Sequence, residues 1–206
     1  MSISMKKIIL VEGDDDKYFT SQLLNHLEKK DIMVESFGGK DKLTTHIDVL
    51  INREGFDDVT SIIIFRDSED SAKNAIESVN YSLRTKNLIT KNIEPFTITI
   101  QNNRKIGFGL FPGLDDNGKI IDNGTLEHLC LKIFKENKNN ALIKNYLDDF
   151  QSKNGNFKRF HKNELHTLFS FTDKYVGLKI GQTAKVGGFD FKSSCLLPFI
   201  KMISEM

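Results

Sequence analysis

Two short apolar runs, each ending in acidic residues, constrain the fold of this chain more than any other feature. Residues 7–11 read KIILV and lead into EGDDD, and residues 61–65 read SIIIF and lead into RDSED. Short apolar runs rich in β-branched residues are typical of strands buried on both faces of a parallel sheet. Segments with apolar residues at helical spacing follow both runs. The runs therefore predict two strand–helix units with acids at the junctions.

The remaining segments extend this pattern into an α/β fold with a mostly parallel sheet flanked by helices. A further strand is predicted over residues 32–37 and a helix over 40–53. The extended segments FTITI and IGFGLF flank a polar NNRK turn, which indicates a hairpin or two late strands. From residue 125 onward the spacing is helical. We expect an α/β domain over residues 1–135 and a helical C-terminal extension over residues 136–206 packed on the same core.

Charge and hydropathy exclude some partners and locations. The 29 Lys and Arg residues nearly balance the 28 Asp and Glu residues, so a polyanion must meet a local patch instead of an overall basic field. No apolar run approaches the ~18 residues of a membrane span, and the amino terminus lacks the apolar stretch of a secretory signal. We expect a cytoplasmic protein without membrane contact. Cys130 and Cys195 lie in separate apolar stretches, where neither a disulfide nor a cysteine metal site is expected.

The acids at the two junctions predict a ligand site. Ligands of open parallel sheets bind beyond the carboxyl ends of the strands, so Glu12 and Asp67 converge if their strands are neighbours. Converging carboxylates have raised pKa values or require a cation. Oxygen ligands suit Mg²⁺ or Mn²⁺, which usually also bind water and substrate phosphates. The pattern indicates phosphoryl chemistry.

Several acids also have a purely structural interpretation. The aspartates at 14–16 suit the first turn of a helix, where carboxylates favour the macrodipole. Asp70 can cap the next helix, and Glu127 can complete a capping box with Gly124 as the cap. Asp116 lies within GLDDNG, which is typical of a turn, although it is also a candidate for an additional metal contact.

The two junctions together resemble the Toprim family, through VEGDDD after the first predicted strand and IIIFRDSED at the third. The resemblance implies a divalent-cation site in which Glu12 is the family's glutamate, Asp67 its first aspartate and Glu69 the second. Glu69 departs from the family's D-x-D pattern. The longer glutamate side chain shifts the ion or leaves the position to Asp70, so both remain candidates.

Small Toprim-like proteins that are similar to nuclease subunits of phage-defence systems and to overcoming-lysogenisation-defect nucleases share further motifs with this chain. They have a Pro-rich loop followed by Gly-x-x-Glu at the start of a helix. Pro112, Gly124 and Glu127 stand in that order here, which adds Glu127 to the implied metal ligands. The resemblance covers roughly residues 5–135, with a weaker similarity in GQTAKVGGFDF near the end.

The resemblance implies a nuclease that hydrolyses phosphodiester bonds of DNA or RNA with Mg²⁺ or Mn²⁺. Glu12 and Asp67 are the implied catalytic residues, with Glu12 acting as a ligand or as a base. Arg66 suits a phosphate contact or an ion pair with a neighbouring carboxylate equally well. The candidate phosphate contacts are Lys17, Arg66, Arg104 and Lys105.

A single Toprim-like subunit with a net charge near zero has no evident surface for binding nucleic acid. We therefore expect a partner, an ATPase of the ABC or AAA type, in a phage-defence system, and self-association is a further expectation. Two other functions stay open. One is a catalytically silent regulatory or interaction module, which Glu69 in place of aspartate favours. The other is a primase-like nucleotidyl-transfer enzyme, although no nucleotide-binding motif is evident in the sequence.

Overall fold

The two apolar runs lie side by side in the interior of one sheet. The computed structural model describes residues 3, 5–135, 140–155, 157 and 159–206. Within these ranges the sheet has five strands, which are β1 (Lys7–Val11), β2 (Ile32–Ser36), β3 (Ser61–Asp67), β4 (Thr97–Gln101) and β5 (Arg104–Phe111). Their order is β2-β1-β3-β5-β4, and only the β4–β5 pair is antiparallel in this sheet. The predicted mostly parallel sheet is confirmed.

The antiparallel pair is the hairpin that the polar turn indicated. Asn102 and Asn103 connect β4 to β5, with φ angles of 50° and 59°. Two consecutive left-handed residues form the tight turn whose twist suits a hairpin, and asparagine tolerates this conformation better than most residues. The turn is local, which is why the sequence alone could indicate it.

Helices cover both faces of the sheet. Those in the described ranges are α1 (Asp14–His26), α2 (Leu43–Ile51), α3 (Ala72–Thr85), α4 (Leu126–Ile133), α5 (Asn140–Asn154), α6 (Phe160–Ser170), α7 (Ile180–Lys185) and α8 (Leu197–Glu205). The flanking helices and the helical C-terminal part that the sequence predicted are both present. None of the helices in the described part of the chain is long and apolar enough to cross a membrane.

The side chains of β3 alternate between two cores. Ile62 and Ile64 pack with residues of α2 and α3, whereas Ile63 and Phe65 pack with residues of α1 and of α4 to α8. Each of these four side chains is at most 1% exposed. The strand is therefore apolar on both faces because each face meets a layer of helices.

Helix α7 packs closely against α1, near the carboxyl edge of the sheet. A Cβ added at Gly181 of α7 would lie 2.3 Å from the Cβ of Tyr18 in α1, so only glycine fits without a shift of one helix. The Gly181 backbone N–H also points to Asp15, with 3.5 Å between the nitrogen and Oδ1. This contact places α7 beside the acids that follow β1.

Candidate metal centre

Three carboxylates lie together at the carboxyl edge of the sheet. Val11 of β1 pairs with Phe65 of β3, so the residues that follow these positions are neighbours. One carboxylate oxygen from each of Glu12, Asp67 and Glu69 lies within 4.8 Å of the others. A single divalent cation could contact all three oxygens, because oxygen ligands lie about 2.0–2.6 Å from Mg²⁺ or Ca²⁺.

Glu69 is held in place by a backbone bridge to Gly124. The Glu69 N–H donates to the Gly124 carbonyl at 2.9 Å, and the Gly124 N–H donates to the Glu69 carbonyl at 2.8 Å. Glu69 has φ 54°, a conformation that costs a non-glycine residue about 1–2 kcal/mol. Gly124 has φ 137°, and a Cβ there would lie 2.8 Å from Cδ of Pro112. The bridge thus fixes a strained residue at the edge of the acidic group.

Arg66 partly neutralises Glu12 from beneath the site. The Arg66 side chain is buried and donates to the Ser78 hydroxyl at 3.2 Å, and its Nε lies 3.8 Å from Oε2 of Glu12. Burial raises the pKa of Glu12, the Arg66 charge opposes this, and the charge of Glu69 adds to it. Oε2 of Glu12 is buried and has no hydrogen-bond partner among the described residues. The ion-pair interpretation of Arg66 fits this geometry, whereas a solvent-facing phosphate contact does not.

Asp16 is a buried member of the same acidic group. Its Oδ2 accepts a hydrogen bond from the Gly13 N–H at 2.9 Å, while Oδ1 has no partner among the described residues. Burial raises the pKa of Asp16 to about 7, and the charge of Glu12 contributes. Burial also raises the pKa of Asp67 well above its ordinary value, with Asp16 the strongest of the neighbouring charges that add to the shift. The helix-terminus interpretation of Asp16 is therefore incomplete.

The start of α4 differs from the predicted capping box. Thr125, and not Gly124, precedes the first helical residue, so His128 occupies the third position and its Nδ1 accepts the Thr125 N–H at 3.1 Å. The expectation that Glu127 completes a box with Gly124 is wrong, because the helix begins one residue later. Glu127 faces the site instead, with one oxygen 3.7 Å from Nζ of Lys162.

Two clefts open on either side of Asp67 and Glu127. The larger has a volume of about 1090 Å³ and the smaller about 450 Å³. Basic and imidazole side chains from the C-terminal half of the chain line both clefts. They are Lys162, Lys179 and Lys185 in the larger cleft and His128, Arg159, His161 and Lys162 in the smaller. Sequence reasoning did not select these residues. Two sequence features could have indicated them, namely the Toprim-like similarity in GQTAKVGG and the basic and aromatic run FKRFHK at residues 157–162.

The other predicted acids lie at the periphery. Asp70 is exposed and lines the smaller cleft, and the hydroxyl of Ser71, instead of Asp70, caps α3. Asp116 is exposed in a turn, where the neighbouring Asp115 accepts two backbone N–H groups. Lys17 is half-buried on α1. Neither Asp116 nor Lys17 is among the described residues that line the two clefts.

Arg104 and Lys105 do not lie near the acids. Lys105 pairs with Ser61, at the amino end of β3, and its Nζ donates to the Glu205 carbonyl at 2.6 Å. The Arg104 guanidinium donates to the carbonyls of Val59 and Phe56. The expectation that both contact phosphate near the acidic edge is corrected, because β5 starts at the opposite edge of the sheet.

The chain is similar to a known family and to solved structures. A family model described as "Protein of unknown function (DUF3226)" matches residues 6–206. The C-terminal region of the OLD protein of Xanthomonas campestris pv. campestris matches at 13% identity and a TM-score of 0.49, over 98% of this chain and 93% of that one. Hypothetical protein PH0156 of Pyrococcus horikoshii OT3 matches at 16% identity and 0.49, over 100% and 95%. A search of curated proteins gave no match.

Proposed function

The chain belongs to the DUF3226 family, and from the geometry of its acidic site we propose that it is a divalent-metal-dependent phosphodiesterase that hydrolyses DNA or RNA. The observation that carries this proposal is the convergence of Glu12, Asp67 and Glu69 to within 4.8 Å. The sequence resemblance to Toprim nucleases supports it.

The residues present fit a hard divalent cation. All donors are carboxylate oxygens, and buried oxygens of Glu12 and Asp16 lack hydrogen-bond partners within the described ranges. Burial raises the pKa values of Asp16 and Asp67, and the charges of neighbouring carboxylates raise them further, so a cation would relieve both the burial of charge and the repulsion. We propose Mg²⁺ or Mn²⁺ held by Glu12, Asp67 and Glu69. Glu127 lines both clefts, Asp16 the larger and Asp70 the smaller, and we propose these three as further ligands.

A bound ion of this type would activate water and stabilise the charge that develops on the attacking and leaving oxygens. The protein's own side chains supply the surroundings. Arg66 holds Glu12 at the strand end through the ion pair, and the backbone bridge holds Glu69. The lysines of the larger cleft face the acids and can pair with substrate phosphates on either side of the scissile bond. Glu12 is proposed as a ligand or as the base.

The wider context is also part of the proposal. With a formal charge of +1, the chain has little electrostatic attraction for a polyanion, since non-specific affinity depends on the number of phosphates neutralised. We propose that it is the effector subunit of a cytoplasmic phage-defence system and acts with an ABC- or AAA-type ATPase. Self-association is compatible with this role.

A silent regulatory module is the second candidate. Glu69 replaces the aspartate of the Toprim pattern and has a strained backbone, so the ligand set departs from the family's at this position. In this case the fold and the acidic cluster would serve binding without hydrolysis.

Cleavage of labelled DNA and RNA tests the proposal. The chain, alone and with its cognate ATPase, is incubated with Mn²⁺ or Mg²⁺, and degradation is expected to vanish in Glu12→Gln and Asp67→Asn. Glu77→Gln, at an exposed position of α3, is the matched control and should retain activity. Equal cleavage by all folded variants would assign the activity to a contaminant or another site. Absence of cleavage with every partner and metal would favour the silent module.

A further inference from the structure

A row of aromatic side chains leads from the surface of α5 into the smaller cleft. Tyr146 and Phe150 are 62% and 41% exposed and have ring centroids 6.5 Å apart. Phe150 stacks on Phe157 at 5.6 Å with an interplanar angle of 15°. Phe157 lies 6.4 Å from Phe160, whose ring is 5.7 Å from that of His161. We call this row, from Tyr146 to His161, the aromatic track.

The inner end of the aromatic track reaches the acidic site. His161 lies against His128, with ring centroids 3.5 Å apart. Phe160 and His161 line the cleft that Asp67 and Glu69 also line. The track is thus continuous with the proposed site of hydrolysis.

Basic residues alternate with the inner aromatic residues. Residues 157–162 read FKRFHK, a run of three aromatic or imidazole rings and three cations without an acid. Arg159 is exposed and lines the smaller cleft together with Lys162. Lys162 lies 3.7 Å from a Glu127 oxygen, and Lys144 and Lys153 of α5 each pair with an aspartate one turn away. Among the described cations of the track, Arg159 is the one without an acidic partner, and it lies at the cleft end.

We propose that the aromatic track binds single-stranded nucleic acid by stacking its unpaired bases and guides the strand to the acidic site. This inference rests on the proposed function and specifies its substrate class. Aromatic rings bind bases of any sequence, because every base has a π-face, and adjacent cations contact the phosphates between them. Bases within a duplex are already stacked on each other and present only their edges. The track therefore selects unpaired strands, of DNA or of RNA.

A second protein surface is the competing occupant for such exposed rings. Continuity with the acidic cleft and the cations at its mouth favour a polyanion. Protein interfaces are depleted of lysine at their cores, whereas surfaces that bind single strands combine rings with positive charge. Tyr18, 58% exposed, also lies beside cations and acids in the larger cleft, whereas Tyr81 lines neither cleft. Tyr81 on α3, 60% exposed, belongs to the helix layer on the opposite face of the sheet.

Fluorescence anisotropy on the full chain tests the inference without requiring cleavage. The probes are fluorescein-labelled oligothymidylate and oligouridylate of about 12 nucleotides and a DNA duplex of the same length, in low salt with a chelator. We expect both single strands to bind at least about tenfold more tightly than the duplex. A difference between the two strands would identify DNA or RNA as the preferred source.

Three substitutions address the track, and two matched substitutions on α3 serve as controls. Tyr146→Ala and Phe160→Leu should each weaken single-strand binding about fivefold or more, as expected for the loss of one stacked base. Arg159→Gln should weaken it and lower the salt dependence by about one phosphate contact. Tyr81→Ala and Arg84→Gln, both at exposed positions, should bind as the unmodified chain does. Thermal unfolding of each variant verifies folding.

The outcomes separate this inference from the proposed function. Single-strand binding that is lost in Tyr146→Ala and Arg159→Gln but retained in Asp67→Asn supports the track, whether or not cleavage occurs. Equal binding of duplex and single strand overturns it, even if metal-dependent cleavage is observed. Unchanged oligonucleotide binding by Tyr146→Ala, with a shift from dimer to monomer in sedimentation, also overturns it and assigns the rings to contact between copies.

Discussion

Substitution of Asp16 by asparagine should stabilise the metal-free protein near neutral pH. Oδ2 of Asp16 accepts the Gly13 N–H, and Oδ1 has no hydrogen-bond partner within the described ranges. An asparagine side chain can keep the first interaction with its oxygen and place its amide NH₂ near Glu12 and Asp67. The change therefore removes a buried charge from a group of like charges and adds a donor.

The magnitude follows from the pKa of Asp16, which is about 7 in the folded chain against an ordinary value of 3.8. Between these values the folded state holds a proton that the unfolded state has released, so stability falls as the pH rises through this window. At about 1.4 kcal/mol per pH unit, the ceiling is about 4 kcal/mol above pH 7. Relaxation around coupled carboxylates lowers this, and we expect Asp16→Asn to add about 1–3 kcal/mol at pH 8 and little near pH 4.

Urea denaturation with a chelator, at about pH 4 and pH 8, measures this difference. Asp14→Asn is the matched control, because Asp14 is exposed in the same first turn of α1. If both aspartates only complement the helix macrodipole, both substitutions cost about 0.3–1 kcal/mol at pH 8. A loss of stability in Asp16→Asn similar to that in Asp14→Asn would refute the buried-cluster interpretation.

Three further predictions address other parts of the molecule. Calorimetry should detect weak Mn²⁺ or Mg²⁺ binding, because much of the ion's coordination shell is left to water. Glu12→Gln and Asp67→Asn should each abolish this binding, and unchanged titrations would reject these two residues as ligands. Glu35 has a pKa lowered to about 2 by hydrogen bonds from a histidine and an arginine, so Glu35→Gln should cost about 1–2 kcal/mol at pH 7. This contribution is present above the ordinary glutamate pKa of 4.5 and is lost as the pH falls towards about 2. The stabilities of Glu35→Gln and of the unmodified chain should therefore converge in acid, and a difference that is constant with pH would contradict the linkage. Gly181→Ala should lower stability by about 1–3 kcal/mol in thermal unfolding and reduce any cleavage, because the new Cβ would collide with Tyr18. Combining it with Tyr18→Gly should restore part of the lost stability. A neutral Gly181→Ala would contradict tight docking of α7.

The strand–acid junctions could be predicted from the sequence because their determinants are local. An apolar run identifies each strand, and neighbouring parallel strands place Glu12 and Asp67 at one edge. Asp16 shows where this reasoning ends. An aspartate in the first turn fits the helix terminus equally well, and its burial arises only when other elements cover it.

The error at Arg104 has a different physical cause. Which edge of the sheet a strand starts from depends on the strands with which it pairs, and the hairpin pattern does not specify that β5 runs parallel to β3. The cations that do line the clefts, such as Lys162 in α6 and Lys179 just before α7, lie far along the chain from Glu12. Their position depends on helix packing, which periodicity alone does not encode.

The distribution of charge within the fold explains why a near-neutral chain can still suit a polyanionic substrate. Glu12, Asp16 and Asp67 come from the strand ends and α1, whereas Lys162 and Lys179 come from the C-terminal part of the chain and line the same cleft. Burial of these acids and the repulsion between them oppose their ionisation in the metal-free fold. Bound cations would remove that cost only if the acids remain in place. Docking of α7 on α1 fixes the distance between the two charged sides. The proposed activity therefore requires that the helical C-terminal part and the sheet fold as one unit.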